Sequence, residues 1–431
     1  MAYNVLDYGK IPLCQGPNYV YHGYLKTIVE FANPDVVGLT KMGSVKSSST
    51  DFSYSAQAGF QDSILLYALN AAYPGRYNYC PNTNLSKSSN ECLLFYNQQK
   101  LGFVSITCVY VNTEDFDTYK LYYKDPNLAT NHDTTFLYIT LNHDISGSGS
   151  AADRGAQMAG EMTQIRGHFS HLANMVSMGD FNVRSSTEAA YQAITNSSDT
   201  NFRFYDPPFY PDVTFTYPGN WEANTTAYAS YLTTSTRSSG TVPNACGTNG
   251  GAKDWYDHIF LSPWIVNNQN YISYISHSFR VIGNDGHRVG ISVNSAPTNT
   301  SAPSTVTDAL FQMSNKYPVM VDLLLTPNTT GSSPSDPELV QTAITDQHLE
   351  NGRVTLVNPV GSEIVLDCST SLIGRKILLE CVDMLGRALI SRRVLVENET
   401  VSIPCSFSPG AYYVRVTDNG YVLCKTILLK K

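Results

Sequence analysis

The chain has no run of 18 or more apolar residues, which excludes a membrane-spanning helix of ordinary length. Its 29 glycines follow no fixed period, so a collagen-like fibre is excluded as well. None of the nine cysteines forms a CxxC pair or stands with histidine at zinc-ligand spacing, which argues against a structural zinc site. Their odd number and the apolar runs around Cys92 and Cys424 point to buried free thiols. No charged, then apolar, then small-residue leader opens the sequence; if the protein is exported, its signal is expected to have been trimmed. What remains is a chain of 431 residues, 42% hydrophobic, too apolar for disorder and long enough for two or three domains with real cores.

Charge divides the chain. The formal net charge of -8 is the sum of -11 over residues 1–350 and +3 over residues 351–431. An acidic main body opposes non-specific polyanion binding driven by counterion release, while leaving room for a small cationic pocket. Apolar spacing predicts a short strand over residues 1–8, a helix over Tyr19–Phe31 stopped by Asn33-Pro34, and a strand over Val36–Leu39. Further strands are expected at Cys92–Tyr96, Leu101–Tyr110, Phe136–Leu141, up to Met178, Asp257–Leu261 and Pro318–Leu325. Met158, Met162, Ile165, Phe169 and Leu172, spaced 4, 3, 4 and 3 apart, mark an amphipathic helix over Arg154–Ala173. Strands interleaved with helices indicate a layered α/β domain. Residues 326–350 are Thr-, Pro- and Ser-rich with no aromatic residue, the composition of a linker. Beyond them, seven short strands parted by turns and no helix predict a small β-sandwich over residues 351–431.

The strongest local signal is Met178-Gly-Asp-Phe-Asn182 at a strand end, where a turn can present Asp180 and Asn182 side by side to a phosphate, a metal or a proton. It stands in an ordered series: Tyr3-Asn4-Val-Leu-Asp-Tyr, Asn33-Pro-Asp-Val-Val-Gly-Leu39, Leu94-Phe-Tyr-Asn97 with Lys100-Leu-Gly-Phe, Arg154 with Gln157, Tyr256-Asp-His-Ile-Phe-Leu-Ser262 and Met313-Ser-Asn-Lys-Tyr-Pro-Val319. That order resembles the endonuclease/exonuclease/phosphatase family, the deoxyribonuclease-I-like fold, over residues 1–325. The resemblance implies a four-layer α/β sandwich and, in active members, a divalent metal that helps water attack a phosphate ester.

Carried over residue by residue, the resemblance makes Asn4 a phosphate-side amide, Asp180 the residue that positions the nucleophile, Asn182 a phosphate holder and Asp257 the acid that orients a catalytic His. Four other positions are substituted. Lys41 stands where the family has its metal-ligating Glu, Thr140 where it has a phosphate-stabilising His, and Asn315 and Lys316 where it has an acidic ligand and the catalytic imidazole. Asp180 is the one metal ligand left, so no intact metal set is expected. An ammonium in place of a carboxylate removes a ligand and repels a dication, and a lysine with a pKa near its ordinary ~10.4 accepts no proton from water at neutral pH. Lys41 and Lys316 are therefore expected to balance Asp180 and Asp257 in a metal-free pocket. Three further features have local readings. His143, three residues past Thr140 at a loop entry, could swing into the site but reads first as an ordinary surface His. Asp285-Gly-His287 reads as turn chemistry, and His258 is expected to face away from Asp257 by the period of two. Glu91 or Asn90 is expected near the family's His-supporting acid.

Residues 351–431 resemble the C-terminal sorting domain of the type IX secretion system of Bacteroidota, an immunoglobulin-like sandwich, through Val357-Asn-Pro359, Val382-Asp-Met-Leu-Gly-Arg387, Ser408-Pro-Gly-Ala-Tyr-Tyr-Val-Arg415 and Lys425-Thr-Ile-Leu-Leu-Lys-Lys431. That resemblance implies a secreted or surface-attached protein that meets the type IX machinery through its tail. The functional expectation is a pseudoenzyme that binds a phosphate-bearing or other anionic ligand with no cofactor. The alternatives are an active extracellular nuclease or phosphodiesterase, which would need Mg2+, Mn2+ or Ca2+ and would bind nucleic acid, and a surface interaction protein.

Overall fold

The computed structural model describes residues 1–9, 18–43, 60–86, 88–131, 133–210, 219–238, 247–329, 338, 354–357, 361–383, 387–418 and 421–430. The chain divides into two compact units, Met1–Leu339 and Val340–Lys431. The boundary falls within the stretch read as linker, most of which, residues 330–337 and 339–350, lies outside the described residues.

In chain order the strands of the first unit are β1 (Ala2–Asn4), β2 (Val36–Gly43), β3 (Tyr77–Tyr79), β4 (Asn90–Asn97), β5 (Leu101–Val111), β6 (Asp115–Tyr123), β7 (Phe136–His143), β8 (Met175–Asp180), β9 (Asp257–Leu261), β10 (Ile272–Tyr274), β11 (Arg280–Val281), β12 (Val319–Met320) and β13 (Leu323–Leu325). One sheet has the order β11-β12-β1-β2-β4-β3, a second the order β5-β6-β7-β8-β9, and β10 pairs with β13. Each large sheet contains one parallel pair, β1 with β2 and β7 with β8, flanked by antiparallel neighbours. The C-terminal ends of β1, β2, β7 and β8 consequently lie at one end of the sandwich.

The two sheets pack face to face through an apolar layer to which the second sheet contributes Leu141, Met178 and Ile259. Gly38 is the point of closest approach: a Cβ there would lie 2.5 Å from Leu141 Cδ2 and 2.7 Å from Met178 Cε. Helices Asn18–Ala32 and Ser304–Met313 pack together on one side, and helix Ala151–His168 lies against the second sheet with Ala189–Thr195 beside it, completing four layers. The helix predicted over Arg154–Ala173 is found as Ala151–His168, with Met158, Met162 and Ile165 buried; it stops short of the prediction, and residues 169–173 lie beyond its end. The α/β sandwich expected from the sequence is thus the architecture found. Among the described residues no helix is long and apolar enough to cross a membrane.

Two strand expectations need correction. The first strand stops at Asn4 because Leu6 and Asp7 take left-handed backbone angles that turn the chain. Pro318–Leu325 is broken into β12 and β13, which join different sheets. β6 had no sequence signal, because Asp115, Asp117 and Lys120 are poor strand formers; the two carboxylates are tolerated because they cap the backbone of residues 83–86.

The second unit is all-β apart from one turn of 3-10 helix at Thr370–Leu372. Its strands are β14 (Val354–Leu356), β15 (Glu363–Cys368), β16 (Lys376–Asp383), β17 (Ala388–Leu395), β18 (Thr400–Pro404), β19 (Gly410–Asp418) and β20 (Tyr421–Lys430), in sheets β14-β15-β18 and β17-β16-β19-β20. Alternate residues such as Ile364, Leu366, Ile377, Leu379, Val414 and Val416 form its own core. Asn358, Pro359 and Met384–Gly386 of the tail motifs lie outside the described residues. Cys80, Cys92, Cys108, Cys368, Cys381 and Cys405 are free thiols, whereas Cys14 and Cys246 lie outside the described residues.

The tight contact at Gly38 carries a stability prediction. Gly38→Ala should cost about 1–3 kcal/mol of unfolding free energy, because two core side chains must leave their rotamers. Urea unfolding followed by fluorescence measures it.

Candidate functional site

Asn4 ends β1, Asp180 ends β8, Asp257 begins β9 and Lys316 lies three residues before β12, so four of the residues singled out by sequence meet where the two sheets finish. Asn4 Nδ2 donates to Asp180 Oδ2 at 2.7 Å, and Ser314 Oγ donates to the Asn4 carbonyl at 2.7 Å, tying the segment before β12 to β1. Lys316 Nζ lies 3.0 Å from Asp180 Oδ2 and 4.3 Å from the centre of the Tyr256 ring. Both charged side chains are shielded, with 7% and 1% of their surface exposed. Such a pair is costly to assemble and costly to break, since removing one partner strands the other charge.

The turn after β8 follows from its residues. Gly179 has φ +147°, and a Cβ there would lie 1.9 Å from the Asn142 carbonyl oxygen, so only glycine fits between β7 and Asp180. Asn182, at φ +50°, is of the type that tolerates the left-handed region. Its backbone N–H donates to Asp180 Oδ1 at 3.1 Å and its Nδ2 to the Asp144 carbonyl at 2.8 Å, so the amide serves the turn.

Lys41 does not take the place expected of it. It sits at left-handed φ +54° on a bulge of β2, and its ammonium reaches Asp7 at 4.0 Å rather than Asp180 or Asp257. Asn90 Nδ2 donates to the other oxygen of Asp7 at 2.5 Å. Thr140 is a second correction. It is fully buried and exchanges a hydroxyl hydrogen bond with Thr118 at 2.7 Å, on the side of its sheet away from Asp180. In the β7–β8 register the residue level with Asp180 is His143. Its Nδ1 is 2.6 Å from Glu114 Oε1, at the hairpin between β5 and β6. An imidazole oriented by a carboxylate is therefore present, three residues later than the sequence comparison placed it. The supporting acid is Glu114, not Glu91 or Asn90; Glu91 instead accepts from Asn82 and Asn84. The 3.6-free strand pattern of β7 held the clue: His143 shares the parity of Leu141, which faces the other sheet. Asn315 turns to Thr248, donating through Nδ2 at 2.6 Å.

Neighbouring residues hold the frame. Arg154, fully buried, donates to Glu188 and to the Ile145 and Gly147 carbonyls, and Gln157 accepts from Ile145 N–H, fixing the chain just beyond His143. His258 faces away from Asp257 as expected, with Nδ1 3.1 Å from Asp206 Oδ2 between the rings of Trp255 and Phe260. Asp285 binds the His287 backbone N–H and the Arg288 guanidinium, and His287 is exposed, which is turn chemistry.

Burial opposes ionisation of every carboxyl here. For Asp180 it is outweighed by the charges of Lys316 and His143 and by the Asn4 bond, so its carboxyl is held below the ordinary range. Asp257, buried and facing the Asp180 charge, is pushed well above that range, against the opposing pull of Lys316 and Thr233. Asp144 is raised by burial and by Glu161 and Asp180; Glu161 is raised by burial to about 8, although Asn142 Nδ2 donates to it at 2.7 Å. His143 is raised because Glu114 and Asp180 outweigh its burial. At neutral pH the site thus holds Asp180 ionised and Asp257 protonated.

The dication that the resemblance implies does not fit these residues. Asp180 already carries an ammonium, Lys41 brings a second positive charge to the rim, and Asp257 carries a proton.

No protein-family model and no curated protein matches the chain. Among solved structures it is similar to a humanised TDP2 of D. rerio, with 14% identity over 75% of this chain and 97% of that one, TM-score 0.41. It is also similar to an endonuclease/exonuclease/phosphatase of Beutenbergia cavernae DSM 12333, with 13% identity over 98% and 97%, TM-score 0.38. A third is the human Nocturnin catalytic domain, solved with bound sulfate, with 12% identity over 63% and 83%, TM-score 0.37.

Glu161 supplies a pH prediction. Its folded pKa is raised, so its contribution to stability is present below its unfolded value of ~4.3 and is lost as pH rises toward about 8. Glu161→Gln keeps an acceptor for Asn142 and cannot ionise. The variant should gain about 3–4 kcal/mol on the unmodified protein between pH 5 and pH 8 in urea unfolding.

Proposed function

We propose that the chain is a metal-independent pseudoenzyme on a hydrolase-like fold, and that its former catalytic end binds phosphate or another small anion. The observation that carries this reading is the Lys316 ammonium 3.0 Å from Asp180, both out of solvent. A carboxylate so paired is not free for a dication, and the protonated Asp257 cannot replace it. Lys41, 30% exposed and 4.0 Å from Asp7, is only loosely paired, and its charge is felt by His143, which Glu114 holds. A partly exposed lysine with an imidazole nearby suits an anion.

A second reading, an active phosphodiesterase or nuclease with an altered site, is favoured by one observation: the Glu114-oriented His143 beside Asp180, an arrangement suited to proton transfer. For location, the proposal is export or surface attachment, with residues 351–431 as a type IX sorting segment. Its support is the tail motifs together with an all-β second unit that has its own core.

Hydrolysis of bis-p-nitrophenyl phosphate and of plasmid DNA with Mg2+, Mn2+ or Ca2+ should show no turnover above a no-protein control. Metal-dependent turnover abolished by Asp180→Ala would establish the second reading instead. Inorganic phosphate should bind by calorimetry without added metal, and Lys41→Ala should weaken that binding about five- to tenfold, or ~1 kcal/mol.

A further inference from the structure

A second polar cluster lies on the same hairpin that carries Glu114 and is not used by the site. Thr83 Oγ1 is 2.5 Å from Asp115 Oδ2 and 2.7 Å from Asp117 Oδ1. A hydroxyl has one proton to donate, so it can serve only one of two ionised carboxylates; the other contact is a hydrogen bond only if that carboxyl brings a proton of its own. The remaining oxygens point at backbone donors. Thr83 N–H donates to Asp117 Oδ2 at 2.8 Å, Leu85 N–H to Asp115 Oδ2 at 2.5 Å and Ser86 N–H to Asp115 Oδ1 at 2.7 Å. Three N–H groups occupy carboxylate lone pairs that a cation would use, and the third group near enough to share one, the Cys108 thiol, is kept neutral by burial, so a proton is taken as the particle that completes the cluster. Of the two, Asp117 is the more deeply buried, 2% exposed against 8%, and is the one given the shared proton.

The segment so anchored runs to the candidate site. Asn82 and Asn84 donate to the two oxygens of Glu91, Ser88 N–H donates to Asn84 Oδ1, and Asn90 N–H donates to Ser88 Oγ. Asn90 then holds Asp7, the partner of Lys41. We propose that residues 82–86, tied through Ser88 to Asn90, form a strap at this end of the fold, closed by a proton shared among Asp117, Thr83 and Asp115, and loosened when that proton leaves. The proposal does not depend on what the site binds.

The groups facing the cluster are Cys108 on β5, Glu114 at the hairpin, Tyr119 on β6, and Cys92 and Glu91 on β4. Burial and the Asp115 charge raise Asp117 to about 7 against the hydrogen bonds from Thr83. With a raised value in the closed state, closure is strongest below the free-carboxyl range near ~4 and declines as pH rises toward 7. Cys92 and Cys108 are pushed up by burial and stay neutral throughout.

Hydrogen exchange of the full chain, corrected for intrinsic rates, tests this from pH 5 to pH 8. Protection of backbone amides in residues 82–86 and 88–90 should fall at least tenfold over that range while β7 is unchanged. In Asp117→Asn, whose amide can donate to Thr83 without a titrating proton, protection should stay level. A flat profile in the unmodified chain overturns the proposal, as does a parallel fall in the variant. So does protection that follows added Zn2+ or Ca2+ against EDTA rather than pH, which would make the cluster a cation site. If Asp117→Asn does not fold, the profile of the unmodified chain still decides.

Discussion

Everything at the candidate site follows from one buried ion pair, Lys316 with Asp180. Asp180 lies at the end of a central strand, 1% exposed, and a carboxylate there needs a cation, a proton or several hydrogen bonds. It has an ammonium at 3.0 Å, the Asn4 amide at 2.7 Å and the Asn182 N–H at 3.1 Å. Because Asp180 keeps its charge, the adjacent Asp257 keeps its proton; two like charges in a dry site do not both persist. The segment before β12 is likewise held where Lys316 can reach, through Ser314 bonded to the Asn4 carbonyl.

The fold supplies the meeting point and the sequence supplies the chemistry. Two parallel strand pairs in facing sheets bring four strand ends together, a placement that serves many site chemistries. Here the residues delivered are two lysines, a histidine backed by glutamate, and carboxyls of which Asp257 and Asp144 are held above the ordinary range. The charged groups stand in pairs, Lys316 with Asp180, Lys41 loosely with Asp7 and His143 with Glu114.

Much of this was legible in the sequence. Apolar periodicity located most central strands and the long helix, because burial imposes those periods, and Gly179-Asp-Phe-Asn182 located the site because only glycine fits beside the Asn142 carbonyl. Motif order brought Asn4, Asp180, Asp257 and Lys316 together before any geometry was known. Strand register was not legible. A slip of three residues made Thr140 the site residue and left His143 as a loop residue, and parity with Leu141 is the physical signal that separates them. Lys41 was misplaced because a bulge in β2 redirects it toward Asp7, and bulges leave no mark in hydropathy. β6 was missed because its aspartates serve a neighbouring segment rather than its own strand.

Lys316 is the resident counter-ion of Asp180. A double-mutant cycle of Lys316→Met and Asp180→Asn, read by urea unfolding at pH 7 in EDTA and again in excess Mg2+, measures that coupling directly. The structure predicts a coupling of about 3 kcal/mol or more, the same in both solutions. A coupling under about 0.5 kcal/mol, or one that vanishes when Mg2+ stabilises the unmodified protein, would contradict it.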